Sequence, residues 1–282
     1  MAEVIRAKTA GFCFGVRKAV DSAFELAETE AELYSYGPVI HNDEVMKSLK
    51  EKGLKVIENE EELAAVNGGT VILRSHGVPE RIMKLLEEKG IKYVDVTCPF
   101  VKRIHNIVME ESLERDIVIA GDASHPEVEG IVGWCRREPT VISSPEEAEE
   151  YSPSSDKGAC LVAQTTFNHN KFEKIVEIFR KKSYYVSIVN TICNATEKHQ
   201  TEAEEIAGRV DLMIVIGDRK SSNSRKLYEI CSAVCDRTEF IQTVSELSIS
   251  PDESIKTVGI TAGASTPDYI IEEVQNNVRT KL

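Results

Sequence analysis

Val186-Ser-Ile-Val-Asn-Thr-Ile-Cys-Asn-Ala-Thr196 is the stretch from which the rest of the chain can be read. Its β-branched run (Val186, Ile188, Val189) predicts a buried strand, and Asn190 to Cys193 a turn leaving it. Thr196 then precedes Glu197 to Gly208, a charged, alanine-containing segment that reads as a helix. Cys193 would therefore stand between a strand end and a helix start, where backbone N–H groups and the helix dipole favour a thiolate. Cys13 and Cys98 share that setting. Cys98 follows Tyr93-Val-Asp-Val96 and precedes Pro99, a favourable first helical residue, with a helix expected to about Ser112. Cys13 follows Val4-Ile-Arg-Ala7 and precedes a helical pattern from Gly15 to Ala27.

The three cysteines lie 85 and 95 residues apart, which points to an internal repeat. After each cysteine and its helix comes a second strand ending in glycine: Leu33 to Gly37, Ile117 to Gly121 and Leu212 to Gly217. Four residues beyond each glycine stand His41, His125 and Ser221. A short strand then runs into an acidic segment, and a last strand closes each unit just before His76, Thr165 or Ser265. The expected units are 1–92, 93–184 and 185–282, with about four strands each. Strands alternating with helices predict an α/β fold with mainly parallel sheets. In such sheets ligands bind beyond the carboxyl ends of the strands, where all nine repeat positions fall.

Composition sets the outer limits. The 282 residues suffice for two domains or three small ones, and 41% hydrophobic content is ordinary for a globular protein. No apolar run approaches the roughly 20 residues of a membrane span, and the N-terminus lacks a signal-peptide pattern, so a cytoplasmic location is expected. Seven cysteines in such a chain favour metal or redox use over a disulfide framework. A net charge of −13 argues against a nucleic-acid surface but leaves room for a small anionic ligand in a locally positive pocket.

Three thiolates from distant positions can hold a metal. With zinc they leave the open fourth position of a catalytic site; with iron and sulfide they leave one iron without a protein ligand. The residues alone do not choose between these. Cys135 and Cys160 read as core, and Cys231 and Cys235, one helical turn apart, as packing. In Ser124-His-Pro-Glu-Val128, Pro126 sets a helix start and leaves His125 and Glu127 beside unpaired amides. Glu127 is the candidate proton donor, and the site would have to bury it to raise its pKa. Ser221-Ser-Asn-Ser224 reads as the start of a helix from Ser224 to Val234, a cluster of small donors suited to an anion. His41-Asn42, Arg74-Ser-His-Gly77 and Ala262-Gly-Ala-Ser-Thr266 are similar turns, and together they suit a phosphate or diphosphate. The absence of a GxxxxGK[ST] loop disfavours a nucleotide triphosphatase.

The motifs Gly11-Phe-Cys-Phe-Gly-Val16, Arg74-Ser-His-Gly-Val78, Asp95-Val-Thr-Cys-Pro99, Ser124-His-Pro-Glu-Val128, Gln164-Thr-Thr166, Asn190-Thr-Ile-Cys-Asn-Ala-Thr196 and Ser221-Ser-Asn-Ser224 together resemble the 4-hydroxy-3-methylbut-2-enyl diphosphate reductase family. The resemblance spans nearly the whole chain in motif order. It implies a three-lobed trefoil of α/β units around a central 4Fe-4S cluster held by Cys13, Cys98 and Cys193. It implies that His41, His76, His125, Ser221, Ser222, Asn223 and Ser265 hold the diphosphate, that Glu127 supplies protons, and that Thr165 lies close to the reacting hydroxyl. Two electrons and two protons would remove that hydroxyl as water, giving isopentenyl and dimethylallyl diphosphate. The electron donor implied is a ferredoxin or flavodoxin. An acidic carrier would need a local basic patch, for which Arg136-Arg137 and Lys181-Lys182 are candidates. The rival readings are a zinc-dependent hydrolase of a phosphorylated small molecule and a non-enzymatic iron–sulfur redox sensor.

Overall fold

The computed structural model of the protein describes residues 2–182, 185–248 and 254–282. The expected boundary at Tyr184 therefore lies outside the described residues. Along the chain, β1 (Glu3–Arg6), α1 (Phe14–Thr29), β2 (Leu33–Tyr36), α2 (Asp43–Glu51), β3 (Leu54–Ile57), α3 (Glu60–Ala65), β4 (Thr70–Leu73), α4 (Glu80–Glu88) and β5 (Lys92–Asp95) come first. They are followed by α5 (Pro99–Glu111), β6 (Asp116–Ala120), α6 (Pro126–Val132), β7 (Thr140–Ile142), α7 (Pro145–Glu150), β8 (Ala159–Ala163), α8 (His169–Lys181) and β9 (Val186–Ile188). The last elements are α9 (Asn194–Ala207), β10 (Leu212–Ile216), α10 (Ser222–Ser232), β11 (Thr238–Ile241), β12 (Thr257–Ala262) and α11 (Asp268–Lys281).

Among the described residues, twelve strands form three four-stranded sheets in the orders β3-β2-β4-β5, β7-β6-β8-β9 and β1-β12-β10-β11. Every strand pair among the described residues is parallel. Read from the other edge, the third order is β11-β10-β12-β1, so all three sheets are the same object. The strand leading into each cysteine pairs beside the closing strand of the preceding set: β5 on β4, β9 on β8, and β1 on β12.

Near-continuous apolar strands are what a sheet covered on both faces requires. In β10, Leu212, Ile214 and Ile216 join one core cluster with Ile270, Ile271 and Val274 of α11, while Met213 and Val215 join a second with Ala203 and Ile206 of α9. The alternation has period two because successive side chains point to opposite faces. In β8, Leu161 and Ala163 meet Phe172 and Phe179 of α8, while Cys160 and Val162 meet Ile104 and Val108 of α5. That settles the packing cysteines: Cys160 is core, and Cys231 and Cys235 belong to the cluster around Ala203.

Two compact units account for the chain. One comprises Met1–Val16, His41–Val45 and Cys193–Leu282; the other Arg17–Ile40 and Met46–Ile192. The third sheet lies in the former and the first two sheets in the latter. No helix among the described residues is long and apolar enough to cross a membrane.

Candidate active site

In both units the candidate side chains stand where strands end and helices begin. Within the larger unit, Cys98 is the N-cap of α5, with Pro99 in the first turn, as its position before Pro99 implies. The Cys98 N–H donates to Ser75 O at 3.0 Å, which ties the cysteine turn to the segment carrying His76. His125 caps α6: its Nδ1 accepts from the Glu127 N–H at 3.1 Å. An imidazole whose Nδ1 accepts carries its proton on Nε2, so Nε2–H remains a donor. The rings of His76 and His125 meet edge to face with centroids 5.4 Å apart.

Glu127 lies between this corner and the end of β8. It is only 2% exposed, and its carboxylate accepts the Thr165 N–H at 2.6 Å and the Thr165 hydroxyl at 2.8 Å. Burial pushes its pKa up to about 7, against the two Thr165 hydrogen bonds, which act to lower it. The carboxyl is therefore poised to hold and release a proton near neutral pH. Gln164 braces the same corner by accepting the Asp122 N–H at 3.2 Å, one residue past the strand-end Gly121.

In the smaller unit, Cys13 immediately precedes α1 and Cys193 is the N-cap of α9. The sequence predicts that helix after Thr196; it starts at Asn194, because Cys193 itself takes the extended capping conformation. The N–H of Cys13 donates to Ala264 O at 3.4 Å, the counterpart of the Cys98–Ser75 bond in the other unit. Burial is the largest influence on the Cys13 thiol and raises its pKa, with Cys193 adding to the rise; N–H groups of Val16 and Gly15 oppose it. The helix-start effect inferred for these thiols is present at Cys13, but burial outweighs it. All three cysteines are partly accessible and outside disulfides. By contrast, burial pushes the thiols of Cys135, Cys160 and Cys231 up to about 12.

Ser221 caps α10, which starts at Ser222 rather than Ser224, and its hydroxyl accepts the Ser224 N–H at 3.3 Å. Ser265, beyond β12, donates to Ser221 Oγ at 3.4 Å. Ser222 and Asn223 are buried in the first turn, and neither amide atom of Asn223 has a partner among the described residues. Leaving such an amide buried and unsatisfied costs about 1–3 kcal/mol. Ser224 is wedged between two glycines: a Cβ on Gly217 would come within 2.2 Å of its hydroxyl and one on Gly263 within 2.0 Å. His41 is half-buried, and the next residue, Asn42, accepts the Val45 N–H at the start of α2.

One contributor has no sequence signal. Glu202, on α9 two turns beyond Cys193, accepts the N–H groups of Lys8 and Thr9 at 2.9 and 2.8 Å, pinning the loop that leads to Cys13. An acid on a charged helix reads as a solvated face, and nothing nearby in the sequence marks it otherwise. Of the basic candidates, Arg136 is engaged with Glu80 at 2.7 Å, while Lys182 donates to the carbonyls of Glu149 and Tyr151.

A family model described as LytB protein matches residues 4–279. The 4-hydroxy-3-methylbut-2-enyl diphosphate reductase of Caldanaerobacter subterraneus subsp. tengcongensis is 44% identical over 282 residues, 99% of this chain and 97% of that relative. The reductase of the same description from Clostridioides difficile is 43% identical over 270 residues, 95% of this chain and 96% of its own length. Among solved structures, the E-1-hydroxy-2-methyl-but-2-enyl-4-diphosphate reductase of Plasmodium falciparum superposes with a TM-score of 0.89 at 25% identity, over 99% of this chain and 87% of that one. A structure of (E)-4-hydroxy-3-methyl-but-2-enyl diphosphate reductase, described as the terminal enzyme of the non-mevalonate pathway, matches with a TM-score of 0.68 at 38% identity, over 99% of this chain and all of that one.

Proposed function

The chain belongs to the LytB protein family, and we propose that it reductively dehydroxylates 4-hydroxy-3-methylbut-2-enyl diphosphate to isopentenyl and dimethylallyl diphosphate as an iron–sulfur oxidoreductase. The observation that carries this reading is Glu127, a buried carboxyl with its pKa near 7, held by Thr165 on the helix that His125 caps.

Cys13, Cys98 and Cys193 would hold a 4Fe-4S cluster. The donor set fits: three partly accessible cysteines outside disulfides, each directly before a helix, with no side-chain capping bond at Cys98 or Cys193. Thiolate is the ligand such clusters take. When bound, the cluster supplies electrons and an iron without a protein ligand, able to polarise a hydroxyl.

The chain's own groups do the rest. The unpartnered amide of Asn223, the Ser221, Ser222 and Ser265 hydroxyls, and His41, His76 and His125 would bind the diphosphate, with Nε2–H of His125 as one donor. Helix starts add backbone N–H groups and a favourable dipole. Thr165 orients the Glu127 carboxyl and would lie next to the reacting hydroxyl. Glu127 would hold the proton at its carboxyl and deliver it. The balance is simple: two electrons and two protons enter, the C–O bond breaks, a C–H bond forms, and the hydroxyl leaves as water.

We place the protein in the cytoplasm, with a small ferredoxin- or flavodoxin-like carrier as electron donor. We also keep 1–92, 93–184 and 185–282 as the sequence repeats of a trefoil, each handing its leading strand to the sheet of the preceding unit. The test is anaerobic turnover: added 4-hydroxy-3-methylbut-2-enyl diphosphate should oxidise a reduced viologen dye and yield the two five-carbon diphosphates. A dye that stays reduced while the protein retains iron and sulfide would refute the assignment.

A further inference from the structure

Beyond β4 the chain makes a tight turn that presents His76. Gly77 N donates to Arg74 O at 3.0 Å, and Gly77 has φ +76°, a conformation glycine adopts at no steric cost. The Arg74 side chain folds back over its own turn. Its Nε donates to Gly77 O at 3.4 Å and its Nη2 to Glu129 Oε2 at 3.3 Å. Glu129 stands in α6, two residues beyond Glu127. The side chain is only 8% exposed, and its guanidinium carbon lies 5.7 Å from the Tyr36 ring centroid. A Cβ on Gly37 would come within 2.4 Å of Arg74 Nη1, so the repeat-matched glycine makes room for it.

Other contacts join the same two segments. Trp134 Nε1 donates to Val78 O at 2.9 Å, and a Cβ on Gly130 would lie 3.6 Å from Gly77 O. Arg74 differs from these in carrying charge. It joins the two segments that present His76 and His125, and its guanidinium brings a buried positive charge to a chain of net charge −13. A planar fork can meet a carbonyl and a carboxylate together, which a lysine ammonium cannot do in the same geometry.

We propose that Arg74 is a positioning residue: through Gly77 O and Glu129 it fixes the His76 turn against the start of α6 and thereby sets the affinity of the two histidines for a diphosphate. The inference rests on the reading that His76 and His125 bind that group. It assigns Arg74 no contact with the substrate.

The test uses inorganic pyrophosphate as the probe, titrated into anaerobically purified protein by calorimetry, alongside steady-state kinetics. Arg74→Met should weaken pyrophosphate binding about tenfold, since a hydrogen bond to a charged group contributes about 1.5 kcal/mol or more. It should raise KM by more than it lowers kcat. Arg74→Lys should fall between Met and the unaltered protein. Glu129→Gln, at a half-exposed position, should shift affinity about threefold in the same direction, because a neutral amide bonds the guanidinium more weakly than a carboxylate does. Should Arg74→Met fail to fold, Glu129→Gln decides. A purely structural role would lower the melting temperature and leave pyrophosphate affinity of the folded protein unchanged; that result overturns the proposal. Failure of the unaltered protein to bind pyrophosphate would instead remove the diphosphate reading on which it rests.

Discussion

The corners at the starts of α6 and α10 are built alike and equipped differently. Each follows a strand-end glycine by four residues, each is capped by the polar residue at that position (His125 or Ser221), and each buries the side chain two positions further on. In α6 that side chain is Glu127, satisfied by both donors of Thr165. In α10 it is Asn223, with neither amide atom partnered. One backbone design thus holds a proton-bearing acid in one copy and a vacant neutral donor and acceptor in another. The acid finds its donors within the protein, whereas the amide has no partner among the described residues. In the function we propose, a single side chain at the same position divides proton transfer from anion binding.

The largest effect should come from erasing the difference at α6. Glu127→Gln should lower turnover by about 100-fold or more, the scale of general acid catalysis, while pyrophosphate affinity stays within about twofold. Near-normal turnover in that variant would make the two corners functionally alike and remove Glu127 from the proton path.

Next in size is a pH effect confined to α6. Burial raises the Glu127 carboxyl from its ordinary value of 4.5 to about 7. Between those values the folded chain binds the proton and the unfolded chain releases it. The associated stability is full below about pH 4.5 and is lost as pH rises through about 7, on the order of 3 kcal/mol. Denaturant unfolding of the anaerobic protein at pH 5 and pH 8 should show this decline, and Glu127→Gln should flatten it. An equal decline in both proteins would assign it to other groups.

At α10 the signs should cross. Asn223→Leu removes a buried amide that has no partner, so the ligand-free protein should melt at a higher temperature, while pyrophosphate binding weakens about tenfold. A fall in both would mean that Asn223 is structural. The smallest change belongs to Ser265→Ala, which removes a long hydroxyl contact to Ser221 and should weaken pyrophosphate only about twofold to threefold, with no change in the pH profile.

Much of this fold is legible in the sequence. The repeat needs only strand periodicity, the strand-end glycines and the polar residue four positions on, so three parallel α/β sheets followed directly. The burial that a protonated Glu127 demands is present. Helix starts were less legible: Cys193 and Ser221 cap their helices through extended backbone, and the small polar residues after them read equally well as turn. The pairing of β1 with β12 joins residues about 250 apart and leaves no local trace. Glu202 escaped for a related reason. It accepts backbone N–H groups of a segment nearly 200 residues away, and a charge on a helix carries no mark of the amide it will meet.

Iron and acid-labile sulfide analysis of the anaerobically purified chain tests the central claim most directly, with visible absorption recorded on the same sample. About four iron and four sulfide per chain and a broad brown absorption are expected, falling together when Cys13, Cys98 or Cys193 is replaced by Ser and unchanged on replacement of Cys231. A colourless protein with one zinc per chain and no sulfide would contradict it.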